Sequence, residues 1–139
     1  MAFKTITMRL VVCSIGLACT GLMAQTGKDL GKREYDNNCA SCHGLDGKGH
    51  GVFVEWLKRS PPDLTSLSRR NAGVFPMANV YDVVEGAGPG HGTREMPVWG
   101  RDYSVKAAEY YVDVPYSQEG YVRARILALC EYINRLQTR

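Results

Sequence analysis

The sequence predicts a helical domain that follows an N-terminal export segment. Apolar residues recur at helical spacing in three segments, at about residues 28–38, 76–85 and 118–137. No series of alternating apolar and polar residues indicates strands, and the chain contains no internal repeat or low-complexity tract. Its 139 residues are enough for one domain of this kind and not for two.

Residues 1–24 have the features of a secretory signal peptide. Lys4 and Arg9 give the segment a basic start, and the run that follows is mostly apolar or small. This run is shorter than the roughly 20 apolar residues of a membrane-spanning helix, which favours cleavage over an uncleaved anchor. A lipid-modified Cys19 is a further alternative. We therefore expect residues 25–139 to form the mature domain.

The strongest motif of the mature chain is Cys39-Ala40-Ser41-Cys42-His43. Two cysteines separated by two residues and followed by a histidine are typical of a c-type haem attachment site. A structural zinc site would need a second Cys/His pair, and a redox dithiol does not need the histidine. The motif occurs once. We expect one covalently bound haem c, attached at Cys39 and Cys42, with His43 as the proximal iron ligand.

The segments at the two ends of the mature chain are predicted to be helices that pack on each other. The first, at residues 28–38, places Gly31 and Tyr35 on one face. A glycine inside a helix costs about 1 kcal/mol relative to alanine, so close approach of a second helix would explain it. The last helix, at residues 118–137, has the longest apolar stripe and is the natural partner. Cys130 lies on this stripe and is expected to be a small buried apolar residue.

The segment that follows the haem motif is predicted to be a loop with turns. Residues 44–51 contain four glycines, which close passage around a haem edge would explain. The next residues, with Trp56, are apolar enough to cover part of the haem. Asp63 is a possible N-cap for a short helical turn.

Further residues are expected to contact the haem or its ligand. A ligating histidine normally donates its second ring hydrogen to a backbone carbonyl, and Pro62 is our candidate acceptor for His43. Leu64, Trp99 and Tyr81 are expected to form the apolar pocket.

The distal iron ligand is predicted to be Met96, in the sequence Met96-Pro97-Val98-Trp99 on a glycine-flanked loop. Met77 falls on the apolar stripe of the helix at residues 76–85, where a core position is the better interpretation. His91 and His50 are weaker candidates for the same role. A further helix is predicted after this loop, at about residues 104–112.

Together these motifs resemble a class I c-type cytochrome, of the small bacterial monohaem kind. The resemblance covers essentially all of the mature chain. It rests on the Cys39-x-x-Cys42-His43 motif between two terminal helices, on Pro62-Asp63-Leu64, and on Met96-Pro97-Val98-Trp99. Asp63 departs from the usual asparagine, and the interval from Met96 to the last helix is long. The resemblance implies axial ligation by His43 and Met96.

The resemblance also implies an all-α cytochrome c fold, with about five short helices around one covalently bound haem. The N- and C-terminal helices would cross, with Gly31 and Tyr35 meeting Leu129 and Tyr132 at the crossing.

Haem ligation by histidine and methionine predicts one-electron transfer rather than an enzyme. With both axial positions bound, the iron has no open site for substrate or oxygen. We expect a periplasmic carrier that passes electrons from a donor dehydrogenase or cytochrome complex to an acceptor oxidase or reductase. The main alternative is a haem-bearing, electron-accepting subunit of a periplasmic oxidoreductase complex. A peroxidase-like haem enzyme is less favoured, because most bacterial peroxidases of this type need two haem motifs.

The net charge of the mature domain and its predicted export restrict the classes of partner that we expect. Without Lys4 and Arg9, 15 of the 17 basic residues remain against 14 acidic ones, so a nucleic-acid partner has no support. The signal peptide and the haem motif both indicate the bacterial periplasm, because covalent haem attachment takes place outside the energy-coupling membrane. Membrane contact is expected only through partners or an uncleaved signal anchor.

Overall fold

The computed structural model describes residues 29–87, 97–113 and 116–138. Within these residues the chain is all-helical, with six α-helices and no strand. The helices are α1 (Leu30–Asn38), α2 (Ala40–His43), α3 (Leu67–Arg70), α4 (Met77–Glu85), α5 (Trp99–Tyr110) and α6 (Gln118–Arg135). Two 3₁₀ turns, Val54–Trp56 and Leu64–Ser66, lie between α2 and α3. The signal peptide expected at residues 1–24 lies outside the described residues.

Local capping fixes the ends of α1. The Asp29 carboxylate accepts a hydrogen bond from the Lys32 backbone N–H at 3.0 Å, which satisfies one of the free donors of the first turn. Cys39 separates α1 from α2, and Gly44, with a φ of +80°, ends α2 directly after His43. The haem motif is therefore held on a single short turn at the end of α1.

The predicted crossing of the terminal helices is confirmed. A Cβ atom on Gly31 would lie 2.9 Å from the Tyr132 Cβ and closer still to the Ala128 carbonyl, so the two backbones touch at this point. The Tyr35 and Tyr132 rings pack with centroids 5.2 Å apart. Leu129, the other residue expected at the crossing, is fully buried.

Helix α5 begins five residues earlier than the sequence predicts, at Trp99 instead of residue 104. Gly100, which weakens a helix signal in the sequence, is needed here because its Cβ would lie 2.7 Å from the Glu85 carbonyl oxygen. It lets the start of α5 abut the end of α4. Tyr103 and Ala107 then form the buried face of α5, four residues apart.

Helix α6 is the centre of the fold and packs against α1, α4 and α5. Its buried stripe includes Ile126, Leu129 and Cys130, which are fully buried, so the expected core position of Cys130 is confirmed. Among the helices that the structure describes, none has the length and apolar character needed to cross a membrane.

Candidate functional site

His43 occupies a buried position at the end of α2, with 3 % of its surface exposed. Burial lowers the pKa of the imidazole, and the nearby Pro62 carbonyl partly opposes this effect. The ring is therefore neutral at pH 7, which is the form that ligates metals. Its Nδ1 atom makes no hydrogen bond of ordinary geometry to any residue that the structure describes.

The two cysteines of the motif flank the same short turn as free thiols. Cys39 is buried, and burial together with the negative charge of Glu34 raises the pKa of its thiol to about 12. Cys42 is partly exposed. Both thiols are therefore unpaired, and both belong to the short turn that carries His43.

The glycine-rich loop folds back onto the motif. The Gly49 N–H donates to the His43 carbonyl at 2.7 Å, and the Gly51 N–H donates to the Cys42 carbonyl at 3.0 Å. A Cβ on Gly49, whose φ is +84°, would lie 2.5 Å from the Pro61 carbonyl oxygen. Glycine at this position therefore lets the proline segment pass directly beside the histidine.

The 3₁₀ turn Leu64–Ser66, which follows the proline segment, holds the C-terminal end of that segment in place. The Asp63 carboxylate accepts hydrogen bonds from the Thr65 N–H at 2.8 Å and from its hydroxyl at 2.7 Å, as expected for an N-cap. The Leu64 N–H donates to the Gly47 carbonyl at 2.8 Å, and its side chain is partly buried against the core. Pro62 is thereby held beside the loop that carries His43.

These residues fit a covalently attached haem. Within residues 29–87, 97–113 and 116–138, no group of three His, Cys, Asp or Glu side chains could hold a metal ion by itself. One neutral buried imidazole beside two free thiols is instead the donor set that a c-type haem requires. Two of the buried polar atoms that lack a hydrogen-bond partner within the described part of the chain, His43 Nδ1 and Trp99 Nε1, belong to residues that the sequence places at the haem.

The sequence model of the cytochrome c family matches residues 29–136. The chain belongs to this family. Its all-helical architecture is the cytochrome c fold, and its cofactor is covalently attached haem c, which contains iron. No curated protein and no solved structure matches the chain.

The remaining residues of this cytochrome c that the sequence analysis named lie in the core, at the surface or outside the described residues. Met77 is partly buried and packs against the core, as the sequence predicts. His50 is exposed, and Trp56 has 75 % of its surface exposed and packs against Phe53 with ring centroids 5.2 Å apart. The predicted distal ligand Met96 and the weaker candidate His91 lie outside the described residues.

Sequence reasoning missed a buried polar network next to the motif. Glu34 is 5 % exposed and forms an ion pair with Arg125 of α6. The Asn38 amide donates to the same carboxylate at 3.1 Å and to the Tyr103 hydroxyl at 3.3 Å. The only signal in the sequence is that Glu34 stands next to Tyr35 on the packed side of α1, which does not identify its partner.

Proposed function

We propose that this cytochrome c is a periplasmic carrier of single electrons between redox proteins. Membership of the family supports haem-based electron transfer. The observation that carries the proposal is the buried, neutral His43, which lacks a hydrogen-bond partner of ordinary geometry and lies one residue from a free cysteine. Such a histidine is suited to hold iron on the proximal side and not to exchange protons with solvent.

We assign the site residues as follows. Cys39 and Cys42 would form the two thioether bonds to the haem, and His43 and Met96 would ligate its iron. The Pro62 carbonyl lies near the imidazole and is the acceptor that would orient it through Nδ1–H. Leu64 and Trp99, both partly buried against the core, line the apolar pocket.

Each of these residues contributes to electron transfer in a different way. Bound haem c supplies a one-electron couple at its iron. The Met96 thioether, a soft neutral ligand, favours the reduced form and raises the reduction potential. Burial of His43 excludes water from the proximal side, and the short turn between α1 and Gly44 limits its movement.

The proposed partners are a donor dehydrogenase or cytochrome complex and an acceptor oxidase or reductase. A haem-bearing subunit of a periplasmic oxidoreductase complex would use the same chemistry and would differ in remaining bound to its enzyme. Size-exclusion chromatography of the protein from a periplasmic extract distinguishes the two. A free carrier is recovered in the periplasmic fraction at the mass of a single chain.

The ligand assignment is tested by absorption spectroscopy of the protein produced with a cytochrome maturation system. We expect the ferric protein to show a weak band at the long-wavelength edge of the red, because a methionine thioether is bound to iron. Met96→Ala should abolish the band. Met77→Leu is the matched control and should keep it, because Met77 packs in the core. A high-spin spectrum, or a band indifferent to Met96, would refute the assignment.

A further inference from the structure

An ion pair with a buried carboxylate lies about one helical turn before the haem attachment motif. Glu34 is five residues before Cys39, on α1, and is 5 % exposed. Its Oε1 atom pairs with the guanidinium of Arg125, whose side chain is 22 % exposed, and its Oε2 atom accepts from Asn38 at 3.1 Å. Buried carboxylates in proteins are normally paired and hydrogen-bonded, and the carboxylate of Glu34 is both.

Glu34 is linked to the haem attachment residue Cys39 through the backbone of α1 and through its charge. The Cys39 backbone N–H donates to the Tyr35 carbonyl at 2.8 Å, so Cys39 is fixed to the same turn that carries Glu34. The charge of Glu34 contributes to the raised pKa of the Cys39 thiol, after burial itself. The carboxylate is therefore close enough to Cys39 for its charge to be felt there.

A buried ion pair is by itself weak evidence of a stabilising role. Replacement of a buried ion pair by apolar residues of similar volume is often neutral or stabilising. The only other cation within 4.0 Å of Glu34 in the described residues is Arg33, at 3.8 Å, and its side chain is half exposed. Arg125, whose side chain is partly buried, is thus the main counter-charge of Glu34.

We infer that the Glu34–Arg125 pair sets the reduction potential of the attached haem by keeping the interior beside Cys39 electrically neutral. Ferric haem carries one more positive charge than ferrous haem. An uncompensated carboxylate nearby would stabilise the ferric form and lower the potential, and an uncompensated guanidinium would raise it. Charges in a protein interior interact several-fold more strongly than in water. The inference rests on the proposed function, in which haem c is bound at Cys39.

The test is a redox titration of the holoprotein at pH 7. Glu34→Gln leaves the charge of Arg125 uncompensated, because arginine stays protonated. At the ambient potential where wild type is half reduced, the ferrous-to-ferric ratio should rise about threefold to tenfold. The double variant Glu34→Gln/Arg125→Gln is neutral again, and its ratio should return to within about twofold of wild type.

A matched control is available on the same two helices. Asp29, the N-cap of α1, pairs with Arg135 of α6, but both side chains are about half exposed, at 46 % and 52 %. Asp29→Asn removes the same charge from an ion pair between the same two helices, and solvent screening should keep the ratio within about 1.5-fold of wild type. The comparison separates the effect of a buried charge from the effect of charge alone.

Two results would overturn the inference: a Glu34→Gln potential equal to that of wild type, or a double variant that keeps the full shift of the single one. Loss of the red-edge ferric band would instead report a change of ligation, so failure of the proposed function is recognised separately.

If Glu34→Gln yields no holoprotein, Arg125→Gln replaces it. This variant leaves the Glu34 carboxylate without its main counter-charge. The ferrous-to-ferric ratio should then fall below that of wild type at the same pH. An unchanged or raised ratio would overturn the inference.

Discussion

The crossing of α1 and α6 depends on the absence of a side chain at Gly31, and Gly31→Ala tests this. The added Cβ would lie 2.8 Å from the Ala128 carbonyl carbon and 2.9 Å from the Tyr132 Cβ, with the Ala128 oxygen closer still. Real Cβ contacts are essentially never shorter than 3.0 Å. Since two of the three atoms are α6 backbone, no change of rotamer relieves the clash, and the two helices must move apart.

The expected loss of stability is the difference between two effects. Overpacking a well-packed core costs about 1–3 kcal/mol, and contact with backbone places Gly31→Ala at the upper end. Alanine recovers about 1 kcal/mol relative to glycine in a helix. The net destabilisation is about 2 kcal/mol, which lowers the folding equilibrium constant about 30-fold. For a domain of this size it lowers Tm by about 10 °C.

Urea unfolding of the ferric holoprotein, followed by circular dichroism, measures this change. Gly120→Ala is the control, because its Cβ would meet only the Ser117 side chain, at 3.3 Å, and no backbone of another helix. It should leave stability unchanged or raise it by up to about 1 kcal/mol. A Gly31→Ala midpoint at or above that of wild type, or a parallel shift of both variants, would show that the helix contact is not what requires glycine.

Two further predictions concern hydrogen bonds around the motif. Tyr35→Phe removes the hydroxyl that donates to the Gly44 carbonyl at 2.7 Å. It should lower the free energy of unfolding, measured in urea, by about 1–2 kcal/mol. Tyr132→Phe is the control and should lower it by less than about 0.5 kcal/mol. Hydrogen bonds from Thr65 lower the pKa of Asp63 below 3.8, so its stabilisation is present above this pH and is lost as pH falls through the lower folded-state pKa. Asp63→Asn should keep the cap but lose this acid dependence, measured as urea midpoints between about pH 6 and pH 2.

The helices at the ends of the domain could be predicted because their signals are local. The predicted and observed starts of the last helix coincide at Gln118, where Ser117 accepts a hydrogen bond from the Gly120 N–H. The start of α5 could not be predicted in this way. Gly100 is a poor helix former by itself, and only its contact with Glu85 of α4 explains why the helix includes it.

The haem motif could be predicted because the attachment chemistry requires fixed residues at a fixed spacing. The residues that surround His43 could be predicted only in part from the sequence. The sequence could nominate Pro62 as a neighbour of the ring, and the structure places its carbonyl close enough to influence the imidazole. The position of Pro62 depends on the close contact of Gly49 with the proline segment and on the hydrogen bond between Leu64 and Gly47. Contacts between loops such as these leave no periodic pattern in the sequence, so they could not be predicted from it.

The Glu34–Arg125 ion pair shows why some buried charge pairs cannot be predicted from local sequence. Arg125 and Glu34 are 91 residues apart, and each belongs to an amphipathic helix on which a charged side chain is normally solvated. Burial of Glu34 follows from the crossing: Gly31, three residues earlier on α1, allows the α6 backbone into contact and so excludes water from the neighbouring turn. The small size of residue 31 therefore determines how closely the two helices pack around Glu34.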